Sequence, residues 1–264
     1  MDGDARIREV FLAPVGTLVA ARDTQVIERD GWYQVLTPSS GSYHGNEVIY
    51  SRLDPASAEP TVRDTIRAYA AHDAPFRWCV GPPTEPAGFG ALLERHGFTW
   101  MDGRGMLVEP ATWTAKPTRV ALEAVTRANV EAYVVAFATG WDLALDVGAR
   151  CDDVVRALAT GRFHFVMARV DGAIAATAGF VVKPAAAYLV GGNVLAPHRG
   201  RGIYRALIDH RLGQIRALGL PLAVTQAREA TSAPILEALG FETVYRSRMY
   251  LQDDPRAAAA KLGG

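Results

Sequence analysis

The sequence predicts a mixed α/β protein, α+β in its arrangement, made of two copies of one fold. Three observations carry this expectation. Ala187 to Leu218, AYLVGGNVLAPHRGRGIYRALIDHRLGQIRAL, reads as strand, glycine-bearing turn and helix. FHFVMARV and AIAATAGFVV flank Asp171-Gly172, a two-residue hairpin signal that makes the two strands antiparallel neighbours. Leu92-Leu93-Glu94-Arg95-His96-Gly97-Phe98 recurs as Ile235-Leu236-Glu237-Ala238-Leu239-Gly240-Phe241 at an offset of 143, and Met106 falls on Met249 at the same offset. Helix-Gly-Phe-strand endings also arise without duplication; two copies, joined near Glu109 to Pro117 (EPATWTAKP), is the preferred reading.

The first copy offers strands at WYQVL and EVIY around a long loop, TPSSGSYHGN. Val62, Ile66 and Tyr69 give a helix its buried side, PFRWCVG is the next strand, and Ala87 to His96 is a helix closed by Gly97. The second copy begins with a strand over Arg119 to Val125 and a helix over Ala128 to Ala138, with Val130, Val134 and Phe137 on one side. Trp141, Asp142, Asp146, Asp152 and Asp153 lie in an acidic connection to a second short helix. After the hairpin come the strand Tyr188 to Leu195, a turn, and a helix whose apolar face is Ile203, Leu207, Ile208, Leu212, Ile215 and Leu218, ended by Gly219 and Pro221. LAVTQA is a buried strand, Thr231 or Ser232 caps the next helix, and Phe241 opens the last strands. RAAAAKLGG reads as a tail. The expected boundaries are 1–112, 118–254 and 255–264.

Composition narrows the function. With 28 basic and 28 acidic residues the net charge is zero, which argues against bulk attraction to nucleic acid or to an anionic membrane. Cys79 and Cys151 stand 72 positions apart without a C-x-x-C, so no disulfide framework or cysteine zinc site is expected. No stretch approaches the roughly 20 apolar residues that span a bilayer. The expectation is a reduced, cytoplasmic protein, monomer or homodimer, with no metal.

Chemistry concentrates at the turn Arg199-Gly200-Arg201-Gly202. First-turn N–H groups of a helix have no partner within it and the dipole makes that end partially positive. Glycines let the backbone take φ > 0 and let an anion approach its amides. Arg199, Arg201 and Arg205 add three cations, so the turn reads as a pyrophosphate cradle. A dinucleotide fingerprint G-x-G-x-x-G fails at Arg205 and lacks its acidic residue, and a G-K-[ST] loop is absent.

These residues resemble the acyl-CoA loop [RQ]-x-x-G-x-[GA] of the GNAT acyltransferase superfamily, here Arg199 to Tyr204, with Tyr204 departing from the small residue usual at the end. The order of elements over about 118–251 is similar to that fold, and TSAPILEALGF resembles the family's closing motif. The resemblance implies two GNAT-like domains, each a mostly antiparallel central sheet flanked by helices, the first without a cofactor loop. It implies acetyl-CoA held by Val194, Leu195, Arg199, Gly200, Arg201, Gly202, Ile203, Tyr204 and Arg205, with N–H groups near Val194 and Leu195 polarising the thioester.

The implied reaction is direct transfer of an acetyl group to an amine of a small-molecule or peptide acceptor. The family's tyrosine acid aligns with Leu236, its asparagine with Glu229 and its small residue with Ser232. No base is evident, Asn193 being the nearest polar side chain on its strand. Tyr204, Ser232 and Tyr188 are the candidate catalytic groups. His164 reads as a packed side chain, and the four aspartates either attract a cationic amine or serve as caps. A catalytically silent acyl-CoA-binding regulator and a nucleotide-dependent oxidoreductase are the competing readings.

Overall fold

The computed structural model describes residues 2–262. In chain order its elements are α1 (Gly3–Phe11), β1 (Gln25–Arg29), β2 (Trp32–Leu36), β3 (Glu47–Ser51), α2 (Pro55–Ala70), β4 (Phe76–Val80), α3 (Phe89–Arg95) and β5 (Thr99–Val108). There follow β6 (Ala121–Ala124), α4 (Val130–Trp141), α5 (Val147–Ala159), β7 (Phe163–Val170), β8 (Ala173–Val182), β9 (Ala187–Val194) and α6 (Ile203–Ala217). The chain ends with β10 (Ala223–Arg228), α7 (Ser232–Ala238), β11 (Glu242–Gln252) and α8 (Pro255–Lys261).

Two compact units result. Unit 1 holds the chain up to Met106, Gln226–Ala238 and the chain from Thr243 onward, and unit 2 holds Leu107–Thr225 and Leu239–Glu242. The expected boundaries at 112 and 118 differ from this division, because α7 and most of β11 pack in unit 1. There β11 runs antiparallel to β4, from Arg248↔Val80 to Gln252↔Phe76. The segment read as a tail is α8, whose Ala258 joins the unit 1 core with Leu262, and Arg63 Nη2 donates to the Leu262 carbonyl at 2.5 Å. Gly263 and Gly264 lie outside the described residues.

Within unit 1 the strand order is β1-β2-β3-β4-β11-β5, and within unit 2 it is β10-β9-β8-β7-β6. Each unit contains one parallel pair, β3 with β4 and β9 with β10. A parallel pair needs a crossover, and α2 and α6 supply it. The series β3-α2-β4-α3-β5 thus matches β9-α6-β10-α7-β11, and the repeated Gly97 and Gly240 sit at the same place with φ +82 and +102. The pairs β1-β2, β2-β3, β6-β7, β7-β8 and β8-β9 are antiparallel.

Aromatic rings fill the unit 1 core. Tyr69 stacks on Phe76 at 4.0 Å, and Trp32 meets Trp78 edge-on at 5.4 Å. Their polar atoms are satisfied, Tyr69 Oη donating to the Val35 carbonyl at 2.7 Å and Trp78 Nε1 to Ser51 Oγ at 2.9 Å. Unit 2 uses small residues instead. Ala175, Ala176 and Ala178 on β8 are fully buried in one core cluster with Ile203 and Leu207 of α6. Leu218, assigned to the same apolar face from its spacing, is 51% exposed, because α6 ends at Ala217. Asp152 and Asp153 lie inside α5 rather than in the connection before it.

Besides α8, the elements α1 and β1 escaped the sequence reading. Asp2 caps α1, its carboxylate accepting from Ala5 N at 2.8 Å, and β1 is an edge strand exposed at all five positions. Neither carries the periodicity of a buried face.

In unit 1, Arg104 on β5 is buried and grips Glu229 through both Nε (2.6 Å) and Nη2 while its Nη1 reaches Glu237 at 3.0 Å; Arg246 adds a contact to Glu229 at 2.8 Å. Hydrogen bonding from Arg104, then from Arg246, holds the Glu229 carboxyl down at about 2. A carboxyl depressed on folding stabilises the fold above its unfolded value of about 4.3 and loses that contribution as pH falls through its folded value. Glu229→Gln is therefore expected to flatten the loss of stability between about pH 4 and 2 in urea titrations. Gly90→Ala tests the packing of α3. Helix propensity favours alanine by about 1 kcal/mol, but its Cβ would fall 2.1 Å from the hydroxyl of buried Tyr250. Overpacking costs about 1–3 kcal/mol, so the urea midpoint is expected to fall.

Candidate functional site

The site is built on β9 of unit 2. Its pairing with β8 shifts register between Thr177/Gly179 and Asn193/Val190, a bulge centred on Gly191-Gly192. Gly191 has φ +60, and a Cβ there would lie 3.2 Å from the Phe137 ring of α4. Both facts require glycine. On the other edge, β9 meets β10 through the pairs Ala187↔Ala223 and Tyr188↔Val224, and the Thr225 hydroxyl then donates to the Leu189 carbonyl at 3.2 Å. From the bulge onward β9 has no further paired residue on that edge among the described residues.

Consecutive N–H groups of a strand face opposite edges. Leu195 N donates to the Ala175 carbonyl at 2.9 Å, so this amide is taken by β8 and is not available to a ligand. The neighbouring Val194 N–H therefore faces the open edge. Of the two amides expected to polarise a thioester, that of Leu195 is taken and that of Val194 faces away from β8.

A short 3-10 turn, Ala196–His198, leads to the glycine turn. Gly200 and Gly202 both have φ +74 with open space around their Cα atoms. The first helical bond runs from Ala206 N to the Gly202 carbonyl at 3.2 Å, so the N–H groups of Ile203, Tyr204 and Arg205 precede the ladder. Arg199 Nε donates to the Val194 carbonyl at 3.1 Å, tying the turn back to β9. Arg201 is half exposed and 3.6 Å from Asp171, a pair of little energetic weight. Arg205 differs from expectation. Its guanidinium lies over the Trp113 ring at 5.3 Å and 3.4 Å from Asp209, so it braces the segment after β5 rather than the turn.

The candidate catalytic groups have different surroundings. Tyr204 lies in the site: a Cβ on Gly192 would be 3.4 Å from its ring, so this glycine makes room for the tyrosine that departs from the family's small residue. Burial raises its pKa, opposed by nearby Arg211. Tyr188 stands four residues before Gly192, about 13 Å along the strand, where β9 is still paired on both edges. Ser232 belongs to unit 1, and its hydroxyl accepts from Arg228 N at 3.0 Å, so it closes the end of β10 instead of capping α7 from its first turn. Leu236 is 1% exposed and packs as core.

Asn193 projects on the α4 side, its Nδ2 3.3 Å from the hydroxyl of buried Thr177 and its Oδ1 without a partner. A Cβ on Gly140 would lie 2.2 Å from that oxygen, so α4 needs a glycine there. Asp146 caps α5 through Ala149 N at 2.9 Å, and Asp153 pairs with Arg156 at 2.5 Å. His164 stacks on Phe180 at 4.5 Å, and burial lowers its pKa. The sequence reading passed over Arg211, a fully buried cation on α6, although its spacing four residues after Leu207 puts a charge within the apolar stripe. Among the described residues no helix is long and apolar enough to cross a membrane.

Comparison with known proteins agrees with this geometry. The sequence pattern of the acetyltransferase (GNAT) family matches residues 122–241, which contain the bulge, the turn and α6. No curated protein matches the chain. Among solved structures, a GCN5-related N-acetyltransferase from Kribbella flavida is 18% identical, with a TM-score of 0.63 over 96% of this chain and 94% of its own. A tandem GNAT protein from the clavulanic acid biosynthesis pathway is 16% identical, with a TM-score of 0.59 over 94% of each chain. A conserved protein of unknown function from Staphylococcus epidermidis ATCC 12228 is 12% identical, with a TM-score of 0.65 over 88% of this chain and 95% of its own. At these identities the structures report the fold, and that fold extends over both units. Residues 122–241 thus match the GNAT family in sequence, and the architecture that contains them is the fold of GNAT structures.

Proposed function

We propose that unit 2 binds acetyl-CoA and transfers its acetyl group directly to an amine, and that the first copy has lost the cofactor-binding role. The observation that carries the reading is the combination of an open β9 edge, where the Val194 N–H is exposed, with a turn of two left-handed glycines at the start of α6. The turn offers main-chain donors and Arg199 and Arg201 to a diphosphate. The β9 edge offers a ladder position to an extended pantetheine arm and a donor to the thioester oxygen as charge develops on it.

The corresponding place in the first copy supports the division of labour. Between β3 and α2 stands Asp54, with Pro55 at the first helical position. A carboxylate repels a phosphate there, and proline removes one donor. The acceptor is a small-molecule or peptide amine, which must lose a proton before attack because an alkylammonium has a pKa of about 10.4. Holding both reactants together supplies much of the rate gain. Tyr204 is the favoured proton donor to the departing sulfur, since Ser232 and Tyr188 have other surroundings.

A silent acyl-CoA-binding regulator is the second reading, favoured by buried Leu236 at the position of the family's acid. Release of free thiol on mixing the protein with acetyl-CoA and a panel of amines distinguishes an enzyme from such a regulator. Gly202→Asp is expected to abolish CoA binding in calorimetry. Aspartate tolerates left-handed backbone and helix starts better than most residues, so circular dichroism should be retained. Unchanged affinity would refute the assignment of the turn.

A further inference from the structure

Arg211 is 2% exposed, two turns after Tyr204 on α6. Its Nε donates to the Leu207 carbonyl at 3.0 Å and its Nη1 to the Gly179 carbonyl at 3.1 Å. Gly179 stands on β8 where the register shifts, so Arg211 fastens the bulge from the α6 side. Its Nη2 would lie 3.6 Å from a Cβ on Gly192. Among the described residues it has no carboxylate partner, and the titratable groups beside it are Tyr204 and His210. Burial brings its pKa down to about 10, so the guanidinium remains charged at neutral pH.

A buried cation without a counter-charge is costly, and an apolar side chain would hold α6 to β8 at less cost. The hydroxyl of Tyr204 likewise has no hydrogen-bond partner among the described residues, while its ring is packed on the same side of Gly192. A fixed positive charge and an available phenol therefore converge on the bulge of β9. Acyl transfer from a thioester creates an anion on sulfur at the step where its C–S bond breaks.

We propose that Arg211 is a positioning residue for the departing sulfur, holding the bulge through the Gly179 carbonyl, orienting Tyr204 and placing its charge where the thiolate forms. This rests on the acetyl-CoA reading of unit 2. The amine lone pair forms the new C–N bond, and the C–S bond breaks with its electron pair passing to sulfur. Sulfur takes the Tyr204 hydroxyl proton, and the phenolate beside Arg211 recovers the proton released by nitrogen through solvent. The products are the amide and CoA thiol.

The test needs no acceptor. CoA is bound to the wild type, Arg211→Met, Arg211→Lys and Tyr204→Phe, with affinity read by calorimetry and the bound thiol titrated by thiolate absorbance. In the wild type the thiol is expected to titrate about one to three pKa units below free CoA. Arg211→Met should return it to the free value, Arg211→Lys should keep most of the shift and Tyr204→Phe should lose part of it. Affinities measured below the pKa of the bound thiol should stay within about twofold, since the interaction is reserved for the charged sulfur. A wild-type thiol that titrates like free CoA, or Arg211→Met with the wild-type shift, overturns the proposal while leaving the CoA site intact. No CoA binding by the wild type overturns the acetyl-CoA reading and the proposal with it. If Arg211→Met does not fold, Tyr204→Phe decides, and an unchanged thiol pKa in that variant overturns the pairing.

Discussion

The bulge at Gly191-Gly192 is the constraint on which the unit 2 site depends. It shifts the register of β9 against β8, and each helix that packs on it must find a complementary surface. On one side Phe137 and Gly140 of α4 accept Gly191 and Asn193; on the other Tyr204 and Arg211 of α6 close over Gly192. A side chain at either glycine would meet one of these helices. The same distortion needs a donor for the Gly179 carbonyl, which comes from Arg211. Interruption of a ladder creates both a place for a ligand and an unpaired polar group, and this chain resolves the second with a buried charge.

Duplication explains much of the rest. The crossover helices α2 and α6 each connect a parallel strand pair, yet they begin in opposite electrostatic states. α6 begins after two left-handed glycines among arginines, whereas α2 begins with Asp54 and Pro55. The same backbone feature, a helix start beside a strand end, is thus suited to an anion in one copy and unsuited to it in the other. Compactness does not follow the repeat, because β11 pairs with β4 inside unit 1.

Departures from the family's closing motif have structural uses. Glu229, in place of asparagine, is the centre of an ion-pair network with Arg104 and Arg246, and Leu236, in place of tyrosine, fills core. Ser232 fastens the end of β10. Residues at these motif positions here serve unit 1.

The sequence alone determined the hairpin at Asp171-Gly172, both crossover helices, the glycine turn and the repeat, because each is a local pattern whose backbone conformation depends on a few neighbouring side chains. It could also have shown Arg211 as a charge within an apolar stripe. Edge strand β1 and helix α1 left no such pattern, being stabilised by pairing and a cap rather than by a buried face. Only the tertiary structure decided that Arg205 braces Trp113, that the Leu195 amide is spent on Ala175, that the Ser232 hydroxyl is taken by Arg228 N and that α8 is no tail. Those outcomes depend on which groups distant in the chain come within hydrogen-bonding reach, and spacing along a sequence does not encode that distance.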